Sequence, residues 1–454
     1  MPYAIDLFCG AGGMSEGIIQ AGFDILFSND INIDVETTYV NRHKQLGLIQ
    51  GQNTYFHRGD IRDLTGAFIT KCISSLDIFT SGRTQAPDRI DAIFGGPPCQ
   101  GFSRAGKRDK NDPRNMLFKE YLRVISEMMP KYVIMENVEG FTDTTLDGFV
   151  GIYGNKYPED SLVPDILLNE FKEIGYSTLA PRILDASDYG VPQKRKRVIF
   201  IAYLSGLSTP MYPQPTHKNN EKVSLAQAIG DLIIDKNMRE KTNPKLTAFQ
   251  QESINGRTKD TKNRFPNKQS KTSNCEIAKH QPIIVERFSL YKEGEDTNAL
   301  IRRIQKEGID LKNKPYLVAE CEKKIHNKYT VTEIIKLFGE AKADKDLITA
   351  LVTKKVARTK LNRNYPSLTV LTLPDDYISP FENRIFTVRE LARLQSFDDS
   401  FVFLGKRTTG GQRRKLEVPQ YTQVGNAVPP LLAKAIAMQI FQALKENEKK
   451  GISL

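Results

Sequence analysis

An α/β chain built on a doubly wound, mostly parallel sheet, with a second, smaller, irregular and basic part, is the fold class this sequence predicts. Three observations carry the prediction. Over the first 204 residues, short β-branched apolar runs alternate with stretches of helical periodicity, the pattern of strands covered by helices. A glycine-rich turn follows the first run, where such sheets receive nucleotide-like ligands. Charge is also uneven: residues 211–360 hold 30 of the 65 Lys+Arg and 19 of the 54 Asp+Glu, so the whole net charge of +11 lies there.

The predicted strands are YAIDLF, DILFSND, TYFHRGD, IDAIFGG and YVIMEN, then the later pair STLAPRIL and RVIFIAYL. They are short and rich in Ile, Val, Phe or Tyr, and several close on Gly, Asn or Asp where a strand enters a turn. Between them, Met14–Ala21 and Leu117–Met129 read as helices. From about Ser205 the texture changes. PMYPQPTHKNN is a Pro/Asn-rich break, TNPKL through IAKHQP reads as long polar loops, and residues 325–360 return to helical spacing. YPSLTVLTL then reads as a strand, TVRELARLQSF as a helix, and PPLLAKAIAMQIFQAL as a long closing helix with proline at its start. The final KENEKKGISL reads as a frayed tail.

At 454 residues and 39% apolar content the chain can bury cores in two or three domains. No basic leader with an apolar run opens it, and no stretch of about 18 uninterrupted apolar residues occurs, so a cytoplasmic location and no membrane contact are expected. Cys9, Cys72, Cys99, Cys275 and Cys321 are odd in number and form no C-x-x-C pair. That spacing points to free thiols, with neither a disulfide framework nor a metal site. A basic segment beside a neutral one is the footprint of a polyanion partner, because cations displace the counterions condensed on phosphates; a lysine-rich solvated surface is the competing reading.

DLFCGAGGMSEG, residues 6–17, is a strand, a glycine turn and a helix start. It does not follow the G-x-G-x-x-G spacing, and alone it is equally a structural turn. Two acids strengthen the ligand reading. Asp30 closes the second strand, where a carboxylate can accept from ribose hydroxyls, and Asp60 follows the third, where it can meet an adenine amine. Nothing resembles the G-x-x-x-x-G-K-[ST] cradle of a triphosphate, so an adenosyl cofactor without polyphosphate fits best. Each acid alone is equally a cap or turn residue.

Cys99, in GGPPCQGFS, follows the fourth strand, and Glu136, in YVIMENV, lies in the fifth. Consecutive elements are usually neighbours, so a thiol and a carboxyl group can face one substrate at the carboxyl ends of the strands. In QKRKR, strand alternation puts Gln193, Arg195 and Arg197 on one face and Lys194 and Lys196 on the other.

Taken in order, DLFCGAGG, GGPPCQGFS, MENV, QKRKR, RELARLQSF and QVGNAVPP resemble the motif series of the DNA cytosine-5 methyltransferases, in particular the bacterial restriction-modification type. The resemblance covers residues 1–204 and about 358–440; between them the basic segment matches only as that family's variable target-recognition region. It implies a fold of the S-adenosylmethionine-dependent methyltransferase type. It also implies a catalytic and cofactor-binding domain over 1–204, a target-recognition domain with hinge over 205–419, and a C-terminal segment, 420–454, that returns to the catalytic domain.

Residue by residue, the resemblance makes Cys99 the nucleophile and gives Glu136 the ring nitrogen 3 and exocyclic amine of the target cytosine. Arg197 then contacts the base oxygen, with Arg195 and Gln193 supporting that wall. Phe8, Gly10, Gly12, Asp30, Ile31, Asp60, Ile61, Pro98, Leu117, Asn426 and Val428 match positions around S-adenosylmethionine. Ile31 departs from the pattern, which often has a bulky aromatic there to stack on adenine, so that contact is expected to be aliphatic. Ser103 and the basic segment are candidates for holding phosphates. Gln193, His280 and Arg287 are candidate DNA contacts, although His280 equally caps a local fold.

The chemistry explains the residue types. Carbon 5 of cytosine is too electron-poor to take a methyl group from a sulfonium until a nucleophile adds at carbon 6, and a thiolate near positive charge attacks well and leaves afterwards. A base inside a duplex must be flipped out to be reached. The expected partner is double-stranded DNA, with the enzyme acting as a monomer beside a cognate restriction endonuclease. The alternatives are an RNA (tRNA) cytosine-5 methyltransferase, which the long basic segment disfavours, and a catalytically silent nucleic-acid-binding relative, which intact Cys99, Glu136 and Arg197 disfavour.

Overall fold

The computed structural model describes residues 1–82, 84–98, 116–266, 272–352, 355, 357–411, 413 and 416–452. Among them the central sheet has eight strands. In chain order the strands are β1 (Tyr3–Leu7), β2 (Asp24–Asp30), β3 (Tyr55–Arg58), β4 (Ala92–Gly95), β5 (Tyr132–Val138), a two-stranded ribbon of β6 (Thr145–Leu146) and β7 (Ser161–Leu162), then β8 (Tyr176–Thr178), β9 (Arg182–Asp185) and β10 (Lys196–Leu204). The sheet order is β3-β2-β1-β4-β5-β10-β8, with β9 also on β10. Strands β1 to β5 pair in parallel, whereas β10 runs antiparallel to β5, β8 and β9. The start of β10 therefore lies at the carboxyl ends of the parallel strands, beside the loops that follow β4 and β5.

Sequence dictates the close packing behind this sheet. Helix α1 (Gly13–Gln20) follows the glycine turn and lies on the closing helix Pro430–Lys450. A Cβ on Gly17 would stand 2.4 Å from the Lys434 nitrogen and 2.6 Å from the Pro430 carbonyl, so only glycine admits this approach. Helix α2 (Ile33–Gln45) is capped by Asn32, whose side chain accepts from the Asp34 and Val35 amides. The main core gathers Ile5, Leu26, Ile93, Ile134 and Ile201 with Ile436 and Ile440 from the closing helix. A second core, with Leu225, Phe386, Leu391, Phe397 and Val424, lies against the glycine turn through Ala11. A third serves the helices Pro282–Ser289, Thr297–Glu307, Pro315–Lys324, Val331–Gly339 and Lys345–Val352.

Several elements differ from the sequence reading. STLAPRIL is two short strands, since Pro181 between them supplies no ladder donor. YPSLTVLTL is extended chain with one bridge, Gln193 to Ser367, because its polar contacts go to the start of β10 rather than to a partner strand. The polar stretch read as loops contains the helix Ala248–Asn255, started by a capping box of Thr247 and Gln250. KENEKK continues the closing helix to Lys450, and Gly451 ends it in the left-handed conformation. The helical body 282–352 carries 13 Lys+Arg against 12 Asp+Glu, so the basic excess sits in the flanking segments.

Candidate functional site

At the first strand end, Phe8 and Gly10 take left-handed backbone angles of 56° and 53°, and Gly12 follows at 97°. Gly12 needs that conformation and also the absence of a side chain, for the Tyr39 ring would be 3.1 Å from a Cβ there. The Gly10 amide donates to Asp30 Oδ2 (3.1 Å) and the Asn32 amide to Asp30 Oδ1 (2.9 Å), so one carboxylate ties the ends of β1 and β2 together. Burial raises the pKa of Asp30. Ile31, immediately after it, is exposed, whereas Ile61 is buried in the main core. Asp60 receives the Arg62 side chain on both oxygens (3.0 and 2.5 Å), and those hydrogen bonds hold its pKa below the ordinary value. An adenine amine at Asp60 would share it with that guanidinium.

Val428 roofs the turn, its carbonyl 2.3 Å from where a Gly13 Cβ would be. Asn426 is exposed beside it, and Pro98 and Leu117 are half-buried. Beneath the turn lies Asp6, which sequence reading did not single out. Ser15 donates to its Oδ2, Tyr39 bonds Ser15 and Ser28, and Oδ1 has no partner among the described residues. Burial raises the Asp6 pKa to about 7. Its only sequence signal was an acid one residue before the end of an otherwise apolar strand.

At the reacting end, β5 and β10 set Ile199 opposite Glu136 and Val138 opposite Arg197. Arg197 Nε meets Glu136 Oε1 at 2.6 Å, with both side chains mostly buried. The other oxygen, Oε2, would lie 3.2 Å from a Cβ on Gly96, so this carboxylate faces the GGPP turn. Asn137 Nδ2 donates to the Pro97 carbonyl (3.2 Å) and holds that turn to the end of β5. Cys99 and Ser103 lie outside the described residues. A small cavity of about 10 Å³ lies between Glu136 and Val428, lined also by Met14, Phe94, Ile134, Ile199, Ala433 and Ile436.

Arg195 is buried behind Arg197. It donates to the Val370 (3.2 Å) and Gly425 (3.0 Å) carbonyls, and burial, with Arg197 nearby, depresses its pKa well below the usual arginine value. Three candidate nucleic-acid residues stand elsewhere. Gln193 is fully buried, donating to Leu394 O and Gln395 Oε1 and accepting from the Val370 amide, so it ties the chain before β10 to the second core rather than facing a duplex. Arg287 is 4% exposed, and its Nε donates to the Leu351 carbonyl inside the helical body, which corrects the expectation of DNA contact. His280 Nε2 accepts from the Ile385 amide, and its ring meets Phe288 edge-on, the local-cap alternative. Among the described residues no His/Cys/Asp/Glu cluster could hold a metal ion. Cys9 is buried and its thiol pKa is raised by burial.

Comparison with known proteins places these features in a group. The model of the C-5 cytosine-specific DNA methylase family matches residues 3–442. The Type II methyltransferase M.DdeI of Desulfomicrobium norvegicum is 31% identical over 96% of this chain and 88% of its own length. M1.HphI of Haemophilus parahaemolyticus is 30% identical over 98% and 87%. A candidate DNA modification methyltransferase encoded within an Escherichia coli prophage superposes with a TM-score of 0.59 over 98% of this chain and 100% of its own, at 23% identity, and so shares the fold.

Proposed function

Because the chain belongs to the C-5 cytosine-specific DNA methylase family, we propose that it methylates carbon 5 of one cytosine in a short duplex sequence by covalent catalysis through Cys99. Cytosine-5 DNA methyltransfer is the family's reaction. The assignment of residues to its steps rests chiefly on one observation: Glu136 and Arg197, paired at the ends of adjacent strands, face the turn that leads into Cys99.

The residues fit an adenosyl group. The glycine turn is open where it matters, for a Cβ on Gly10 would meet nothing within 4 Å, while its amide donates to Asp30. S-adenosylmethionine bound there would supply the electrophilic methyl group. Phe8, Gly10, Gly12, Asp30, Ile31, Asp60, Ile61, Pro98, Leu117, Asn426 and Val428 are the residues proposed to hold it.

In the proposed sequence the flipped cytosine enters between the GGPP turn and Glu136. The Cys99 thiolate forms a bond to carbon 6, and the electron pair of the 5,6 double bond makes carbon 5 nucleophilic. Glu136 holds the exocyclic amine and nitrogen 3 through the charge shift, and Arg197, fixed against Glu136, binds the base oxygen. Arg195 adds positive potential behind them and keeps Arg197 forward. After carbon 5 takes the methyl group, with S-adenosylhomocysteine as the leaving group, water accepts the carbon-5 proton, the 5,6 double bond re-forms and the Cys99–carbon 6 bond breaks, returning the thiolate.

The reading extends to a three-part chain, 1–204, 205–419 and 420–454, acting as a monomer. It includes protection of host DNA from a cognate endonuclease, as the Type II names of the relatives indicate. A duplex carrying 5-fluorocytosine tests the mechanism, because fluorine cannot leave as a proton does. The expected result is a denaturation-resistant adduct with wild-type protein and none with Cys99→Ser. An RNA substrate that traps the protein while cognate DNA does not would favour the RNA reading.

A further inference from the structure

We propose that Leu416, from the segment leading into the closing part of the chain, joins Ile31 and Ile33 to cover the adenine ring of the cofactor; this rests on the S-adenosylmethionine reading above. These three apolar side chains are 80%, 64% and 52% exposed. Single exposed aliphatic residues are ordinary, but these three belong to one hydrogen-bonded junction, Ile31 and Ile33 flanking Asn32 and Leu416 bonded to it. Asn32 is the organiser. Its Oδ1 caps α2, and its Nδ2 donates to the Leu416 carbonyl at 3.3 Å.

The next two residues are anchored as well. Glu417 pairs with Lys406 (2.7 Å) and accepts from the Thr409 hydroxyl (2.6 Å), and the Val418 amide donates to Asp34 Oδ2 (2.8 Å). The backbone of 416–418 is thus fastened across the start of α2 while the leucine side chain points into the open. A fixed apolar edge of this kind suits a flat ring that buries it on binding.

Position selects the occupant. In the sheet order, β2 stands three strands from β5, which at the usual spacing is roughly 14 Å, so this edge is remote from a base held by Glu136. It adjoins Asp30 and the glycine turn, the adenosine end of the site. The geometry also accounts for Ile31. An isoleucine covers less of a purine than an aromatic side chain does, and Leu416 supplies the missing area.

The test is calorimetric titration of the full chain with S-adenosylhomocysteine, alongside duplex-DNA binding measured without cofactor. Leu416→Ser is expected to weaken S-adenosylhomocysteine by about threefold to tenfold, leaving DNA affinity and melting temperature unchanged, because burial of part of a leucine is lost. Ile31→Trp in the same chain is expected to restore most of the affinity. An S-adenosylhomocysteine affinity unchanged in Leu416→Ser would overturn the proposal, as would a loss confined to DNA binding. Wild-type protein that fails to bind S-adenosylhomocysteine at all would overturn the cofactor reading beneath it.

Discussion

Glu136 carries two constraints at once: Arg197 occupies one of its oxygens, and the other looks across Gly96 toward the turn before Cys99. Glu136→Gln keeps the shape but removes the charge, so kcat/KM is expected to fall by about 10²–10⁴-fold, read by tritiated-methyl incorporation, while S-adenosylhomocysteine affinity changes little. Asp6 gives a prediction of a different kind. Its pKa rises from 3.8 to about 7 on folding, so the protonated form favours the fold. That contribution is complete below about pH 4 and is lost as pH climbs through 7. Asp6→Asn should therefore gain stability relative to wild type between pH 4 and 7 in urea unfolding, with the difference level above that range.

The same scale shows what sequence reading can reach. Cys99, Glu136 and Arg197 stand in motifs whose residue types name their chemistry. Gln193 and Arg287 did not announce their burial: the one precedes a strand and the other lies on a short helix, and each polar side chain faces inward because of distant partners, Gln395 and Leu351. Asp6 was hidden because one acid at a strand end looks like a turn residue.

Elements were more legible than side chains. Strands β1 to β5 follow from short apolar runs closed by turn residues, and the helix Val388–Leu394 from its apolar periodicity and the capping box of Thr387 and Glu390. YPSLTVLTL has strand composition, yet the start of β10 takes its polar contacts. The meeting of α1 with the closing helix, more than 400 residues away in sequence, could be read only once both were placed. Gly17 is the consequence. Gly17→Ala should cost about 1–3 kcal/mol by overpacking, despite alanine's better helix propensity, measured as a lower urea midpoint with an unchanged slope.

Across the whole molecule, buried charge joins α1 and α2 to the chain around the second core. Arg42 on α2 binds Glu16 of α1 through two bonds (2.7 and 2.9 Å), the Ser400 hydroxyl (2.9 Å) and, at 3.6 Å, Asp398; Thr258 also donates to Glu16. Arg42→Ala leaves both carboxylates buried without it and should destabilise the protein by about 3–5 kcal/mol in urea unfolding. Thr258 and Asp398 thereby tie α1 and α2 to the chain before and after the neutral helical body.

Under the proposed mechanism, one cytosine is brought to Cys99. Bisulfite sequencing of DNA from cells expressing the wild-type chain and Cys99→Ala tests it most directly. The account predicts a single short motif with one protected cytosine in the wild-type sample and none in the variant. Protection that persists in Cys99→Ala, or no protected cytosine with the wild-type chain, would contradict it.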